Sequence, residues 1–292
     1  VNLLRAATLS VVDPEATAAR YAQWLDYEIV ERGEVAPDLA GSWGAPAAAG
    51  RAFVVCRPAS GAEVFLRLVQ ADPAPDYRPL RSFGWAAIEI SVQDTLAVAA
   101  RMAESPFEII GPPRELDGMP EIFPMQVQGP DGEIVYLTQI RADPKGVRLA
   151  AAQSPIDRLF ILVLATSDLD AARAWFDQSL GLAVGPEVAL RYTMINKAFD
   201  LPIEDKHRIA TAGHEIDVFL ELDQYPAAAT PRTRAAGDLP PGIAIATLSH
   251  PDLASVTGER APARRDGVIY AGRPSVTVAG PDGSLVELIG VE

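Results

Sequence analysis

The sequence predicts an α+β protein made of four strand–helix–strand–strand–strand units arranged in two pairs. Three internal repeats carry that prediction. The segment Ala62-Glu63-Val64-Phe65-Leu66-Arg67-Leu68 returns, altered, as Ile216-Asp217-Val218-Phe219-Leu220-Glu221-Leu222, 154 residues later. The strand-like run from Ala6 to Asp13 returns as Ile161 to Asp168. The turn Gly129-Pro130-Asp131-Gly132 returns as Gly280-Pro281-Asp282-Gly283. Self-similarity at a nearly constant offset is the mark of a duplicated architecture. The middle of the first repeat carries Arg67 in one copy and Glu221 in the other, so one backbone element is used twice with opposite charge.

The elements follow in order. Each half opens on an apolar strand ending in Asp13 or Asp168, where a short acceptor satisfies the free N–H groups of a following helix. The first helix presents Ala18, Tyr21, Trp24 and Leu25 at helical spacing; the second presents Ala171, Ala172, Trp175, Phe176 and Leu180. Such stripes are core. Strands continue to Leu68 and to Leu222. After the linker Asp72-Pro73-Ala74-Pro75, the run from Gly84 to Ser91 matches the run from Gly242 to Ser249. A helix is expected after each, over Asp94 to Ala103 and roughly over Asp252 to Glu259. The Pro-Asp-Gly turns then supply a preset φ and a residue free to take φ > 0, and the strands Glu133–Leu137 and Ser284–Leu288 close the units. The chain divides near Leu149 to Pro155, giving an N-terminal half of residues 1–148 (units one and two) and a C-terminal half of residues 155–292 (units three and four), the latter expected to be the active half.

A chain of 292 residues with a formal charge of −14 argues against nucleic acid and anionic membrane surfaces as partners, since both select for basic patches. The basic run Arg260 to Arg265 reads as a solvated loop. The lone cysteine, Cys56, sits in an apolar run and reads as a buried structural thiol in a reducing compartment. No run approaches the roughly 20 apolar residues of a membrane span, and residues 1–13 show no signal-peptide pattern. A cytoplasmic location is expected. No glycine fingerprint for phosphate, flavin or nicotinamide follows a strand into a helix.

The strand ending in Asp before an aromatic-bearing helix, and the closing GPDG turn followed by a strand holding Glu287, resemble the vicinal-oxygen-chelate superfamily. That superfamily includes glyoxalase I, extradiol dioxygenases and bleomycin-resistance proteins. The resemblance covers essentially the whole chain. It implies that each pair of units curls into a cupped mixed sheet around a cavity that holds the active site. It also implies a metal site with one ligand from each of four strands. Those places fall here at Ala6, at Ile161, at Trp85 or Ala87, and at Ile243 or Ile245, none of which ligates. The carboxylate places hold Arg67 and Tyr136 in the N-terminal half and Glu221 and Glu287 in the C-terminal half. His207, His214 and His250 read as lying in or beside loops. No cofactor is therefore expected.

Two glutamates in one apolar cup push each other's pKa values apart and act as base and acid. Glu287 and Glu221 are thus the expected catalytic pair. The segment Arg191 to Pro202, which has no counterpart in the first half, is similar to a substrate-covering insert of some superfamily members. It brings Tyr192, Lys197 and His207 as further catalytic candidates and Arg191 and Asn196 as substrate-binding ones. Trp85, Arg67 and Tyr136 complete the expected binding set; Arg67 either neutralises Glu89 or holds a carboxylate ligand. The function expected is a metal-independent lyase or isomerase acting on a small apolar metabolite, aromatic ones included. Two alternatives stay open. One is a non-catalytic sequestering protein of the bleomycin-resistance kind. The other is a dioxygenase or glyoxalase with atypical ligands, Glu221 and Glu287 plus a loop histidine. Both cups can be completed within one chain, and a homodimer stays open. Replacing Glu287 with Gln is expected to abolish turnover and leave the melting temperature little changed.

Overall fold

Capped strand–helix openings recur down the chain and set its architecture. The structure, a computed structural model, describes residues 3–256 and 261–291. Unit one contains β1 (Leu4–Val11), α1 (Pro14–Leu25), β2 (Tyr27–Glu34), α2 (Pro37–Ser42), β3 (Ala52–Pro58) and β4 (Phe65–Gln70). Unit two contains β5 (Gly84–Val92), α3 (Thr95–Ala103), β6 (Glu108–Gly111), β7 (Ile122–Gln128) and β8 (Ile134–Ile140). Unit three contains β9 (Ile156–Thr166), α4 (Leu169–Leu180), β10 (Ala183–Val184), β11 (Val188–Arg191), α5 (Thr193–Ala198), β12 (Lys206–His214) and β13 (Asp217–Gln224). Unit four contains β14 (Gly242–His250), β15 (Ala263–Arg264), β16 (Pro274–Ala279) and β17 (Leu285–Gly290).

Asp13 accepts hydrogen bonds from the N–H groups of Glu15 and Ala16, Asp94 from those of Leu96 and Ala97, and Asp168 from that of Ala171. These caps satisfy donors that the first helical turn leaves free. Unit four departs from the pattern. Instead of a helix over Asp252 to Glu259 there is one tight turn, Leu253–Ser255, and residues 257–259 lie outside the described residues. Of the basic run, Arg260 also lies outside them, and Arg265 is buried against Asp38 rather than solvated. Cys56 is free and buried, and burial pushes its thiol up to about 12. No helix of the described residues is long and apolar enough to cross a membrane.

Two mixed sheets form, and their membership differs from sequence order. One runs β15-β16-β17-β14-β1-β4-β3-β2; the other runs β10-β12-β13-β9-β5-β8-β7-β6, with β11 on β12. Unit one therefore pairs with unit four, through antiparallel β1 and β14, and unit two with unit three, through antiparallel β5 and β9. The expected grouping of one with two and three with four into separate cups is corrected here. The physical reason is the connections: the segments 71–83 and 225–241 each cross from one sheet to the other, whereas 141–155 returns β9 alongside β5 within one sheet.

The convex faces and the helices share one apolar core, containing residues of both sheets such as Leu9, Leu68, Ile90, Leu164 and Val286. The concave interiors hold separate clusters, one for each cup. The GPDG turns fasten the sheets to each other. Asp131, of unit two, accepts from Val12 N–H and Thr17 Oγ1 and pairs with Arg20 at the start of α1. Asp282, of unit four, accepts from the Thr166 and Ser167 hydroxyls and from Ser167 N–H at the start of α4. Gly132 and Gly283 follow at φ of 83° and 73°, a conformation that glycine adopts without a Cβ clash.

Candidate functional site

In the cup of units one and four, Thr8 lies in register with Arg67 and Thr247 with Glu287. The four meet in one network. Arg67 donates to Thr8 Oγ1 at 2.9 Å, Tyr270 Oη at 2.5 Å and Glu287 Oε2 at 3.0 Å. Glu287 also accepts from Trp43 Nε1 at 2.9 Å, Tyr270 Oη at 2.8 Å and Thr247 Oγ1 at 3.0 Å. The Trp43 ring lies 4.6 Å from the guanidinium, a cation–π distance. Burial pushes the Glu287 carboxyl up, but Arg67 and the three neutral donors outweigh it and hold the pKa below the ordinary carboxylate value. Burial likewise opposes the Arg67 charge and is overcome by Tyr270 and Glu287. This is a buried, fully paired ion pair with Trp43 and Tyr270 packed over it; Arg67 and Tyr270 also line a cleft of about 400 Å³ between α2, β3 and residues 264–270. A carboxylate committed to four donors is not free to take a proton from a substrate.

The cup of units two and three has the opposite character. Glu221 and Asp223 stand two apart on β13 and so share a face. Glu89 on β5 lies in register with Tyr136 on β8. Tyr192, just before α5, donates to Glu221 Oε1 at 2.6 Å, and Thr138 donates to Glu89. Tyr225 follows β13 and is buried beside them. Asp223 is fully buried and no N–H or hydroxyl donates to either of its oxygens, its carboxyl lying beside that of Glu221; the Tyr136 hydroxyl, on a residue 2% exposed, has no partner. Among the described residues no arginine, lysine or histidine pairs with Glu89, Glu221 or Asp223.

Burial without a counter-charge dominates the titration of this cluster. It pushes Glu89 up to about 8, reinforced by Glu221. Burial also raises Glu221, partly offset by the hydrogen bonds from Tyr192 and Asp223. Asp223 is pushed well above its ordinary value, through burial and then the Glu221 charge. Both carboxyls are thus pushed toward their neutral forms, Glu221 less strongly than Asp223.

The predicted residues separate accordingly. Glu287 and Glu221 occupy different cups, so they do not form an acid–base pair; the unit pairing described above is the reason. Arg67 belongs with Glu287, and Glu89 with Glu221, so Arg67 does not neutralise Glu89. Tyr192, Tyr136 and Glu221 do come together. Trp85 does not line the cup: a β-bulge between Trp85 and Ala87 turns it onto the convex face, where its indole donates to Leu285 O at 2.8 Å and packs on Phe176. Asn196 and His207 are joined to each other at 2.6 Å, and Asn196 donates to Ile203 O and Asp205 O, so the two pin the insert together. Burial lowers the His207 pKa. Arg191 is bound to Asp117 and Glu204 at the mouth, and Lys197 is exposed on the cleft beside it. Sequence reasoning missed Asp223 and Tyr225. The signal for Asp223 was present, an acid at i+2 from Glu221 within one strand.

That mouth is a cleft of about 280 Å³ between residues 112–126 and the insert 191–203, with Tyr192 in its wall. A larger cleft of about 480 Å³ between the 70–77 linker and residues 233–242 reaches neither cup's polar cluster. Of its charged lining, Arg51 is paired with Asp72 and Asp131 with Arg20. Chemistry rather than volume therefore selects the second cup.

Four modules folding into two cups within one chain define the vicinal-oxygen-chelate fold. Among solved structures the chain is similar to glyoxalase I from Zea mays (TM-score 0.66, 17% identity, 99% of this chain and 92% of that one). It is also similar to a putative dioxygenase from Bacillus subtilis (TM-score 0.60, 11% identity, 98% and 84%) and to the cppA protein of Streptococcus pneumoniae (TM-score 0.52, 11% identity, 99% and 99%). No protein-family profile and no curated protein matches the sequence. The likeness is one of fold.

The fold raises the question of a metal, and the donor sets answer it. In the first cup a guanidinium occupies the centre and the sole carboxylate there is saturated. In the second cup the carboxyls lack imidazole partners, and no three His, Cys, Asp or Glu side chains of the described residues converge as ligands. His250, at the end of β14, is turned instead toward Leu180 O and Asp252 N–H. Neither set fits the chelating arrangement that gives the fold its name.

Two outcomes follow. The Glu287→Gln change leaves Arg67 buried and uncompensated, so it should cost on the order of 3–5 kcal/mol in denaturant unfolding. Little loss of stability would contradict the buried-pair assignment. The second prediction concerns pH. Glu89 and its neighbours hold protons in the folded chain that the unfolded chain releases, so stability should fall as pH rises from about 5 toward 8, by roughly 1.4 kcal/mol per pH unit per proton. Glu133, buried and pushed up to about 7, acts in the same direction. Glu89→Gln should flatten the slope by one proton, and an unchanged slope would count against the assignment.

Proposed function

We propose that the cup of units two and three binds a small, largely apolar molecule and moves a proton on it without a metal, as a lyase or isomerase does. The observation that carries this reading is the cation-free cluster of Glu89, Glu221 and Asp223 beside the unpartnered Tyr136 hydroxyl, in a cup walled by residues such as Ile161, Val163 and Phe199. A carboxyl pair sharing one proton offers a base and an acid together. Glu221, the more readily ionised member, takes a proton from a carbon next to a carbonyl. The electron pair shifts onto the carbonyl oxygen, toward which Asp223 or the Tyr136 phenol supplies a proton. With an α-hydroxyketone, return of the proton from Glu221 to the former carbonyl carbon, as the other hydroxyl gives its proton back to the acid, gives the isomer; loss of a leaving group from the β-carbon gives the lyase product. Both outcomes balance without an oxidant. Tyr192 steadies the base through its 2.6 Å hydrogen bond.

A second reading is supported by the same absence of a counter-cation: the cup sequesters a cationic ligand unchanged, as a resistance protein does. Exchange in heavy water separates the two. Small ketones and hydroxyketones incubated with the protein and chelator in D2O should incorporate deuterium at the carbon beside the carbonyl, followed by NMR. Glu221→Gln and Asp223→Asn should each slow exchange by roughly a hundred- to ten-thousand-fold. Exchange that chelator abolishes and a divalent ion restores would overturn the metal-independent assignment. The absence of exchange across the panel would favour sequestration.

A further inference from the structure

The two cups are related by the internal duplication, and one of them shows what the other lacks. Arg67 and Glu221 stand at equivalent places in the repeated strand, as do Glu287 and Tyr136 in the strands after the GPDG turns. At the centre of the first cup lies a cation, the Arg67 guanidinium. It is held by the Glu287 carboxylate, the Tyr270 hydroxyl and the faces of Trp43 and Tyr270. The second cup has the matching shell of carboxyls and phenols, with no cationic side chain of the described residues inside it. Asp223 is fully buried with no N–H or hydroxyl donor to either oxygen and only the Glu221 carboxyl beside it, and the buried Tyr136 hydroxyl is a second, non-acidic group with no partner.

We propose that the second cup is the recognition site for an ammonium group on a small apolar molecule, the bound amine taking the place that Arg67 fills in the first cup. This deepens the function proposed above by naming the substrate class, and it rests on that reading's choice of cup. The ammonium supplies three donors, for which the two Asp223 oxygens and the Tyr136 hydroxyl are the acceptors that no protein N–H or hydroxyl fills. Tyr136, Tyr192 and Tyr225 offer ring faces of the kind that attract a cation. The groups facing Asp223 are Glu221 on its own strand, Glu89 from β5, Tyr136 from β8, Tyr192 from the insert, and Tyr225. The guanidinium beyond Tyr225, Arg232, is committed to Pro241 O and Ile243 O and stacks on Tyr77. At the mouth, Arg191 and Arg114 are both tied to Asp117. The net charge of −14 favours the approach of a cation over that of an anion.

An ammonium entering this cluster ionises a carboxyl that held a proton, so binding is coupled to proton release. Benzylamine is the probe, with benzyl alcohol as its neutral counterpart, titrated by calorimetry in two buffers of different ionisation enthalpy. The expected result is binding of benzylammonium with release of up to one proton and at least about tenfold preference over the alcohol, since the alcohol leaves buried acceptors unpaired. Asp223→Asn should remove the proton release and weaken binding by about tenfold or more. Should that variant fail to fold, Glu221→Gln, at a partly exposed site, provides the same test. Equal or tighter binding of the alcohol, binding without proton release, or indifference to both substitutions would overturn the proposal. Benzylammonium binding with proton release but no deuterium exchange on ketones would uphold this inference and sink the catalytic reading. Asp223-dependent exchange on neutral ketones with no amine binding would do the reverse.

Discussion

A guanidinium buried beside a carboxylate is costly unless each finds its partners, and in the first cup both do. Arg67 and Glu287 satisfy each other and are enclosed by Thr8, Thr247, Trp43 and Tyr270. That arrangement fills the base of the cup, beneath a cleft of about 400 Å³ that Arg67 and Tyr270 border. It ties β4 of unit one to β17 of unit four across the sheet, and it draws α2 over the opening through the Trp43 indole. The pair depends on all of its neighbours at once, because a low-dielectric interior magnifies both the attraction and the penalty for losing it.

The second cup follows from moving one charge. Where the repeat has Glu221 in place of Arg67, the interior gains acid and loses its cation. Three carboxyls then sit together with only phenols and a threonine hydroxyl for company. Such a cluster stays neutral by holding protons, and a site that holds protons can deliver them or surrender them to an incoming cation. Both roles draw on the same stored asymmetry, and the insert around Tyr192 places the cluster behind a cleft rather than on a surface. The duplication has therefore divided labour within one chain: one cup stabilises the molecule, and the other is left with unmet hydrogen-bonding capacity.

Much of this was legible in the residues. The four units, the aspartate caps and the GPDG turns follow from local chemistry, and the structure bears them out except at unit four, where a single tight turn, Leu253–Ser255, stands in place of the expected helix. The pairing of units did not follow, because antiparallel contact between β1 and β14 is a long-range choice that no local pattern encodes. Once units one and four shared a sheet, Glu287 had to leave Glu221 and meet Arg67. Trp85 shows a second kind of miss: a single β-bulge reverses the face of every residue before it, and strand periodicity alone cannot locate a bulge. Asn196 and His207 show a third. Polar residues in an insert invite a functional reading, yet these two close a loop by bonding each other and the backbone. Asp223 was within reach, since an acid two residues beyond another on a strand shares its face.

The account stands on a difference in protonation between two sets of buried carboxyls, and site-resolved NMR titration of carbon-13-labelled glutamate and aspartate side chains measures it directly. The prediction is that Glu287 remains ionised into the acid range where ordinary carboxylates take up protons, while Glu89 stays protonated through neutrality and titrates near pH 8. Ordinary titration near pH 4 for Glu89, or a protonated Glu287 at neutral pH, would contradict the division of the two cups.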